Sequence, residues 1–460
     1  MPKGGDLHNH LSGAVYAESY IQWAAEKGLC VNTQTMTLSQ PTQPNQCDPT
    51  AGQAQARSAL TNRALYEQMI DAWSMRNWSP SATESGHDHF FNTFSKFGPA
   101  TWGQTGKMLA EAVSRAARGK VLYLELMLTP DGGVSSQIGD KVGWDGDLKS
   151  TLNKLKANDI DNAVAAAMKN LGDAEKEKNQ LLKCGTRRAD PGCSVTVRYI
   201  AQVGRTAELG PVYAQMVTGF MLGNDPNSKV VGLNLVQPED APNALNNFSE
   251  HMRMLKFLQE GSRGHLTLHA GELVPGLVTD QKNLTFHIRD SVKIAGAERI
   301  GHGVDIMHEN DWDGLLKEMA TRGVLVEICL SSNDLILGVK GKAHPLSTYL
   351  KYEVPVALAT DDAGVARSEI SNEYLKAAEE QGLGYLQLKT MARNSLQYSF
   401  VSGDSLWSDG RKFTSVGECR RDLILMKLTS SGCRQFLESS EKAKLQWRLE
   451  EQFREFERRW

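Results

Sequence analysis

The sequence predicts an α/β fold, a (β/α)8 barrel of the TIM type with insertions after strands 1 and 2 and a C-terminal helical extension. Two observations lead to this prediction. Short β-rich apolar runs recur eight times, and each gap between them is long enough for a crossover helix. Several runs are apolar almost throughout, as in strands that helices cover on both faces. Eight such β/α units close a barrel.

The predicted strands follow one another along the whole chain. They span residues 5–11, 120–129, 194–203, 229–236, 264–271, 299–306, 323–331 and 354–361. The segment 241–260 illustrates the helices between them, because Phe248, Met252 and Leu255 recur at helical spacing among polar residues. Strand and helix therefore alternate through most of the sequence.

The early units are longer than the later ones, which predicts insertions at about 31–60 and 131–193 within a barrel domain of residues 1–400. The first insertion is rich in Gln, Thr and Pro, a composition typical of a surface excursion that either covers the site or decorates its rim. The last segment, 401–460, is predicted as a helical extension packed on the barrel. Its final stretch carries apolar residues, Trp460 among them, in alternation with charges, which predicts an amphipathic helix.

Composition excludes several classes of partner. The formal net charge is −3, and no long basic run is present, so neither nucleic acid nor a membrane surface is expected as a partner. No apolar stretch reaches the roughly 18 to 20 residues that a spanning helix needs.

Six of the seven cysteines form neighbouring couples in polar, turn-rich stretches. The couples are Cys30 with Cys47, Cys184 with Cys193, and Cys419 with Cys433. Local disulfides are the simplest of the 15 pairings that six cysteines allow, and unrelated thiols are the alternative. Disulfides favour a secreted or periplasmic protein whose signal peptide is absent from this sequence, with a cytoplasmic location as the alternative.

The pair His8 and His10 opens the chain on a predicted strand, where residues i and i+2 project to one side. The pair alone is weak evidence, because His87 and His89 repeat the spacing in a segment that reads as a loop leading into a helix. The interpretation of His8 and His10 as metal ligands is strengthened by polar residues at the ends of later strands, because strand ends meet at one mouth of a barrel.

Those later residues complete a metal-type set. They are His269 and Glu272 in LHAGE, His302 in RIGHG, and Asp361 and Asp362 in LATDDAG. Three imidazoles and one carboxylate suit a Zn2+ site that leaves a position open for water, whose pKa the metal lowers to about 7. Structural roles such as buried hydrogen bonds or helix capping remain the alternative for each residue taken singly.

Four ordered blocks, GGDLHNHLSGA, LHAGE, RIGHG and LATDDAG, resemble the signatures of the adenosine/AMP deaminase family of metal-dependent hydrolases. FFNTFSKFG at 90–98 is similar to the segment that covers the site in that family. The match extends from residue 1 to about 365. The chain length and the MPKGG opening are similar to the secreted, growth-factor-like branch.

The resemblance implies a role for each motif residue. One Zn2+ is held by His8, His10, His269 and Asp361. Glu272 protonates ring N1, His302 assists deprotonation and orientation of the metal-bound water, and Asp361 counts with these two as catalytic. Substrate contacts are implied for His10, Ser12, Gly232, Glu272 and Asp362, with Asp362 on N7 and the backbone of Gly232 on N3.

Departures from the family pattern concern the substrate. Ser12 stands where nucleoside deaminases commonly have the acid that contacts the ribose end. In KVVGLNLVQPED, Asn234 and Gln237 replace the usual Asp and Gly, while Glu239 is kept. Recognition beyond the base is therefore open, and the lack of a basic cluster near the motifs disfavours a phosphorylated substrate.

The resemblance implies zinc-dependent hydrolysis of adenosine and 2'-deoxyadenosine to the inosine product and ammonia. The alternatives are a deaminase of adenine or a modified adenine nucleoside, a PHP-like phosphoesterase, and an extracellular binding or signalling protein on a deaminase scaffold. A deaminase of adenine or a modified nucleoside would share every catalytic residue, whereas LHAGE and RIGHG have no place in a PHP-type enzyme. Only deamination uses all four blocks.

Overall fold

The computed structural model describes residues 1–43, 46–81, 83–262, 264–425 and 427–459. Eight parallel strands build its centre. They are β1 (Gly4–His10), β2 (Val121–Leu128), β3 (Thr196–Gly204), β4 (Val230–Val236), β5 (Thr267–Ala270), β6 (Arg299–His302), β7 (Leu325–Ile328) and β8 (Val356–Leu358). Consecutive strands pair within two sets of four, β1 to β4 and β5 to β8.

Two parallel bridges join these sets into a closed barrel. Leu233 of β4 pairs with Leu266, and Asn9 of β1 pairs with Asp361 after β8. At the second seam the backbone N–H of Asp361 donates to His8 O over 2.8 Å. The predicted (β/α)8 barrel is therefore confirmed, and its closing seam brings the first strand beside the end of the last.

The strands in the second half are shorter than the sequence predicted. The run predicted at 299–306 ends as a strand at His302, and the run predicted at 354–361 ends at Leu358. The backbone turns left-handed near these points, with φ of 76° at Gly271, 68° at His302 and 55° at Asp361. A residue with a left-handed backbone cannot continue a β-strand, so each strand ends before the apolar run in the sequence does.

The α-helices lie between and after the strands. Those of the first three β/α units are Leu11–Ala14, Ala17–Glu26, Arg63–Ala72, Gly86–Thr101, Thr105–Arg118, Val134–Val142, Leu148–Ala157, Asp161–Leu181 and Leu209–Asn224. The later ones are Pro242–Gly261, His287–Asp290, Trp312–Arg322, Leu330–Leu337, Leu346–Lys351, Ile370–Glu379, Tyr385–Gln397, Arg420–Leu425, Ser431–Ser439 and Glu441–Glu457. None of the helices in the described ranges is long and apolar enough to cross a membrane.

Helix Pro242–Gly261 forms as its periodicity predicts. Proline at its first turn needs no N–H partner there. Phe248, Met252 and Leu255 are each at most 1% exposed, so the predicted face is the one that packs on the barrel. Burial of each such side chain stabilises the fold by about 1.5 to 3 kcal/mol.

A small antiparallel sheet follows the first helices. Its strands are Cys30–Asn32, Leu38–Ser39 and Gln53–Gln55. Leu38–Ser39 contacts helix Gly86–Thr101, and Trp73 Nε1 donates to Met36 O over 2.7 Å. This part of the chain supports that helix from outside.

The C-terminal segment contains the strands Trp407–Asp409 and Thr414–Ser415 and ends on helix Glu441–Glu457. The helix packs Leu445, Leu449 and Phe453 into the main core. Arg393 of the barrel donates to both oxygens of Glu450 over 2.7 and 2.8 Å. Trp460, predicted on the same apolar face, lies outside the described residues.

The structure forms the three local disulfides that the sequence favoured. They join Cys30 to Cys47, Cys184 to Cys193, and Cys419 to Cys433, with Cα separations of 5.6, 5.5 and 4.7 Å. Cys329 is a buried free thiol, as predicted from its apolar surroundings.

Candidate active site

A cavity of about 450 Å3 opens at the carboxyl ends of the barrel strands. Three of the four sequence blocks contribute side chains to its lining, namely the first block, LHAGE and LATDDAG. It is lined by His10, Ser12, Phe90, Phe91, Asn92, Phe94, Ser95, Gln202, Val236, Gln237, Pro238, His269, Glu272, Asp361 and Asp362. Residues far apart in sequence therefore share one chamber, as the barrel requires.

Three imidazoles and one carboxylate converge at this floor. His269 Nε2 lies 3.1 Å from His8 Nε2 and 3.1 Å from His10 Nε2. Asp361 Oδ1 lies 3.5 Å from the former and 3.4 Å from the latter. Ligand atoms held about 2.0 to 2.2 Å from one Zn2+ are themselves separated by about 3 to 3.5 Å. Four of the six separations within this cluster therefore lie in the range expected for ligands of one metal ion.

Two histidines of this candidate metal cluster are oriented through their other ring nitrogen. His8 Nδ1 lies 2.7 Å from Glu327 Oε2, and His269 Nδ1 lies 2.9 Å from Asn234 Oδ1. His10 lies beside Gln202 in the cavity lining. Metal-ligating histidines almost always have such a partner, because it fixes the ring and its tautomer.

The remaining ligand is oriented in the same way, since Ser332 Oγ donates to Asp361 Oδ2 over 2.5 Å. Close backbone contact also shapes the site. A Cβ added to Gly301 would lie 2.6 Å from His8 Cε1, and one added to Gly13 would lie 1.5 Å from Asp362 Oδ1. Only glycine fits these two positions without moving a site residue.

His302 also reaches the cluster, with a ring nitrogen within 4.8 Å of the ligand atoms of His8, His269 and Asp361. Its Nε2 lies 3.6 Å from Glu272 Oε1, and its Nδ1 lies 3.0 Å from Asn333 Nδ2. The structure thus brings His302 beside both the ligands and Glu272.

Three residues around the floor have a left-handed backbone although none is glycine. The φ angles are 81° for Gln237, 68° for His302 and 55° for Asp361. Such conformations cost about 1 to 3 kcal/mol each, and they cluster at functional sites. Gln237 and Asp361 line the cavity, and His302 lies beside the cluster at its floor.

Burial sets the protonation of the histidines before any metal binds. It lowers the pKa of His10 to about 4 and that of His302 to about 3, so both rings are neutral at pH 7. Burial also lowers the pKa of His8, but hydrogen bonds with Asp361 and Glu327 outweigh it and raise the value to about 10. A metal ion binding there displaces that proton, because a ligand imidazole is neutral.

The carboxyl groups of the site differ in charge. Burial and the charge of Asp361 raise the pKa of Glu272 to about 8, so this group is mostly protonated at pH 7. Burial likewise raises the pKa of Asp362 well above its usual value, and its Oδ1 has no hydrogen-bond partner among the described residues. A buried carboxylic acid can donate a hydrogen bond to a ligand.

Glu239 holds the loop that carries Glu272. Its carboxylate accepts the backbone N–H of Gly271 over 3.1 Å and that of Glu272 over 2.9 Å, and His287 Nδ1 lies 2.6 Å away. Burial raises the pKa of Glu239, but His287 and Arg205 outweigh it and lower the value to about 2. The loop that carries Glu272 is therefore held by a Glu239 carboxylate that is ionised at neutral pH.

Helix Gly86–Thr101, here called the roof helix, covers the cavity with Phe90, Phe91 and Phe94. Described residues 31–43 and 46–60 do not line the cavity. The sequence left two roles open for the first insertion, which either covers the site or lies on the rim of the barrel. The structure favours the position on the rim.

The second H-x-H pair lies in the same helix but makes other contacts. His87 lies 3.0 Å from Asp240, and His89 lies 3.1 Å from Glu84 and from the carbonyl of Ser74. The two rings do not join the floor cluster. On a helix, residues i and i+2 point in different directions.

The predicted contact of Gly232 requires correction. This residue lies near the start of β4, where an added Cβ would be 2.9 Å from Phe400, and it does not line the cavity. The carboxyl end of β4 reaches the cavity instead, because Gln237, the residue after the strand, lines it. Strand direction decides the matter, since only carboxyl ends meet at the site. Ser12, in contrast, lines the cavity as expected.

Sequence reasoning also missed the residues that orient the ligands. Glu327 lies within β7 and contacts His8, and Ser332 donates to Asp361 from the helix that follows β7. A charged residue inside GVLVEICL was the available signal, because an isolated charge in an apolar strand needs a buried partner.

The comparisons with known proteins agree with this geometry. A family model described as "Adenosine deaminase" matches residues 85–406. Adenosine deaminase from Clostridium perfringens is 28% identical over 232 residues, which cover 50% of this chain and 64% of the relative. The alignment therefore spans less than two thirds of that relative.

Two solved structures share the fold. An N6-mAMP deaminase from Arabidopsis superposes with a TM-score of 0.56 at 20% identity, covering 87% of this chain and 94% of that one. An adenine deaminase from Arthrobacter aurescens gives a TM-score of 0.55 at 16% identity, covering 87% and 95%.

Proposed function

Since the chain belongs to the adenosine deaminase family, we propose that it is a zinc-dependent hydrolase that converts adenosine and 2'-deoxyadenosine to the inosine products and ammonia. One observation carries the proposal. His8, His10, His269 and Asp361 converge at the floor of a cavity whose wall holds a protonated Glu272.

The metal ligands are taken to be those four side chains, because their spacing and their donor set suit Zn2+. When bound, the ion supplies an activated water at neutral pH. His302 lies beside the ligands and serves to orient that water. The same group also faces Glu272.

The purine is held by the buried acids. Protonated Glu272 donates a proton to ring N1, which makes C6 more electrophilic, and a pKa of about 8 suits an acid that works near neutrality. Protonated Asp362 has a free Oδ1 in the same wall and hydrogen-bonds N7. The roof-helix phenylalanines pack on the apolar surface of the base.

The rest of the cavity favours an uncharged substrate. Beyond the floor, its polar lining consists of Ser12, Asn92, Ser95, Gln202 and Gln237. Neither lysine nor arginine occurs among its described lining residues, whereas a phosphate is normally met by a cation or by a helix N-terminus. A nucleoside or a free base therefore fits better than a nucleotide.

The experiment that tests this proposal measures ammonia release and the change in purine absorbance with Zn2+-loaded protein. Wild type should turn over adenosine, and Glu272→Gln should lose at least about 100-fold in kcat while keeping its metal. Glu309→Gln is the matched control, because the buried Glu309 side chain accepts, among the described residues, from the backbone of Ile288 and Arg289 alone. Failure of wild type on every purine, or equal loss in both variants, contradicts the proposal.

A second candidate substrate is adenine or a modified adenine nucleoside. It is favoured by Ser12, which offers a hydroxyl where an acid is usual, and by the side chain of Gln237 at the rim. Comparing kcat/KM for adenosine, 2'-deoxyadenosine, N6-methyladenosine and adenine separates the candidates. Membership of a deaminase family argues against the PHP-type phosphoesterase.

We also propose that the protein is exported. Three disulfides in a chain of 460 residues suit an oxidising compartment, since cytosolic thiols are kept reduced. Mass analysis of protein from its native source should show six oxidised cysteines and one free thiol. Seven free thiols contradict export.

A further inference from the structure

Two residues outside the predicted set, Asn333 and His344, form a buried chain of hydrogen bonds that ends on His302. The backbone N of Leu346 lies 3.1 Å from His344 Nδ1, and His344 Nε2 lies 3.0 Å from Asn333 Oδ1. Asn333 Nδ2 lies 3.0 Å from His302 Nδ1. All three side chains are at most 1% exposed.

The first member of the chain fixes the direction of every bond. A backbone N–H only donates, so His344 Nδ1 accepts from Leu346 and the single proton of that ring lies on Nε2. His344 Nε2 therefore donates to Asn333 Oδ1, which leaves the Asn333 amide nitrogen facing His302. The amide nitrogen has no lone pair to offer, so it donates to His302 Nδ1.

His302 is thereby restricted to one tautomer. Its Nδ1 is an acceptor, so its proton lies on Nε2, on the side of Glu272 and the metal ligands. This buried Nε2 has no hydrogen-bond partner among the described residues. An unpaired buried N–H costs about 1 to 3 kcal/mol, and a bound ligand removes that cost.

We propose that Asn333 and His344 are positioning residues that hold His302 protonated on Nε2, so that it donates a hydrogen bond to the attacking water. This inference rests on the proposed function and refines it. In this tautomer Nε2 has no lone pair, so His302 orients the water and does not take its proton in the resting state. The orienting part of the role implied by the sequence is kept, and the deprotonating part is replaced.

The backbone supports the same assignment. His302 has a φ of 68° and ends β6, so its ring direction is set by the strand end as well as by Asn333. Asn333 lies in helix Leu330–Leu337, directly after Ser332, whose hydroxyl orients Asp361. One helix therefore positions both a ligand and the donor beside it.

The test is the 15N NMR spectrum of histidine-labelled, Zn2+-loaded protein, in which the chemical shifts report the protonated nitrogen of each ring. The chain has eleven histidines, and loss of one signal in His302→Gln assigns the residue. We expect wild-type His302 to carry its proton on Nε2. A proton on Nδ1 overturns the proposal, whatever the activity.

Asn333→Asp is the matching perturbation, because an ionised carboxylate accepts from Nδ1–H and reverses the tautomer. We expect the NMR signal to change to the Nδ1-protonated form and kcat to fall by about 100- to 10,000-fold, the range seen when a catalytic histidine loses its acid–base function or tautomer. Metal content should stay at one ion per chain. Asn394→Asp is the control, since Asn394 is a buried amide that donates only to Val356 O.

The outcomes separate the two proposals. Activity of Asn333→Asp within a few-fold of wild type, or an equal loss in Asn394→Asp, overturns the positioning role. If wild type deaminates no purine, the proposed function fails, while the tautomer in the wild-type spectrum still decides the positioning role. If Asn333→Asp does not fold, that same spectrum decides it alone.

Discussion

Glu327→Gln should weaken metal binding although Glu327 is not a ligand. Its carboxylate is fully buried and lies 2.7 Å from His8 Nδ1, 2.7 Å from Arg299 Nε and 2.7 Å from Thr267 Oγ1. Burial raises the pKa of Glu327, but Arg299 and His8 outweigh it and lower the value, so the group is charged. The carboxylate makes His8 a stronger donor to a metal.

The magnitude follows from the position of this contact behind a ligand. Loss of such a partner typically costs about 10- to 100-fold in metal affinity, or about 1.4 to 2.8 kcal/mol. Removing one charge from the buried pair with Arg299 also destabilises the fold, by at most about 3 to 5 kcal/mol. The second effect must be separated from the first.

Glu125→Gln provides that separation. Glu125 is as buried as Glu327 and lies 2.5 Å from Arg299 Nη2, but its other oxygen accepts from Tyr123 and from Phe400 N, neither of which belongs to the metal cluster. Both variants should unfold at lower temperature. Only Glu327→Gln should lose zinc to a chromophoric chelator at lower competitor concentration. Equal zinc affinity in the two variants refutes the reasoning.

Three further changes test other contacts. Burial lowers the pKa of His87, but Asp240 and Asp88 outweigh it and raise the value to about 9, with a further contribution from Glu272. Charged His87 therefore stabilises the fold fully below about pH 6.5, and this stabilisation is lost as pH rises through 9. His87→Gln should lower the free energy of unfolding by about 1 to 2 kcal/mol at pH 6.5, a value already reduced for solvent screening. At pH 10 the substitution should leave the free energy of unfolding unchanged. Thermal unfolding at the two pH values checks this; equal losses contradict it. Gln237→Gly relieves a φ of 81° but removes the bond that Gln237 Oε1 accepts from Thr206 Oγ1 over 2.6 Å, so these effects of about 1 kcal/mol each should largely cancel. The KM for nucleosides should nevertheless rise, and an unchanged KM contradicts the prediction. Replacing Cys419 and Cys433 with serine opens a 14-residue separation and should cost about 3 kcal/mol in urea unfolding, and a loss under 1 kcal/mol contradicts a formed disulfide.

Much of the site was predictable because its residues follow apolar strands. The run before His269 and the run before Asp361 each mark a buried strand, and strand ends in a barrel meet at one mouth. His8 and His10 needed only the two-residue period of a strand. The eight strands themselves follow from local apolar composition, which a single sequence displays.

Other parts could not be read from the sequence. Strand ends were placed too late near His302 and Asp361, because a left-handed turn leaves no mark in an apolar run. Gly232 was placed in the site, although it lies near the amino end of its strand and Gln237 reaches the cavity. The two positions lie on the same strand, so only the direction of β4 shows which of them reaches the cavity.

The sequence by itself determined the fold class, the family blocks and the side chains whose chemistry suits a metal, since these depend on local pattern and residue type. Only the tertiary structure decided which partner each side chain has. The tautomer of His302, the charge of Glu272 and the hold of Glu327 on His8 arise from contacts between residues up to 319 positions apart. Hydrogen bonds and burial act through space, so the closed barrel, and not the order of residues, sets them.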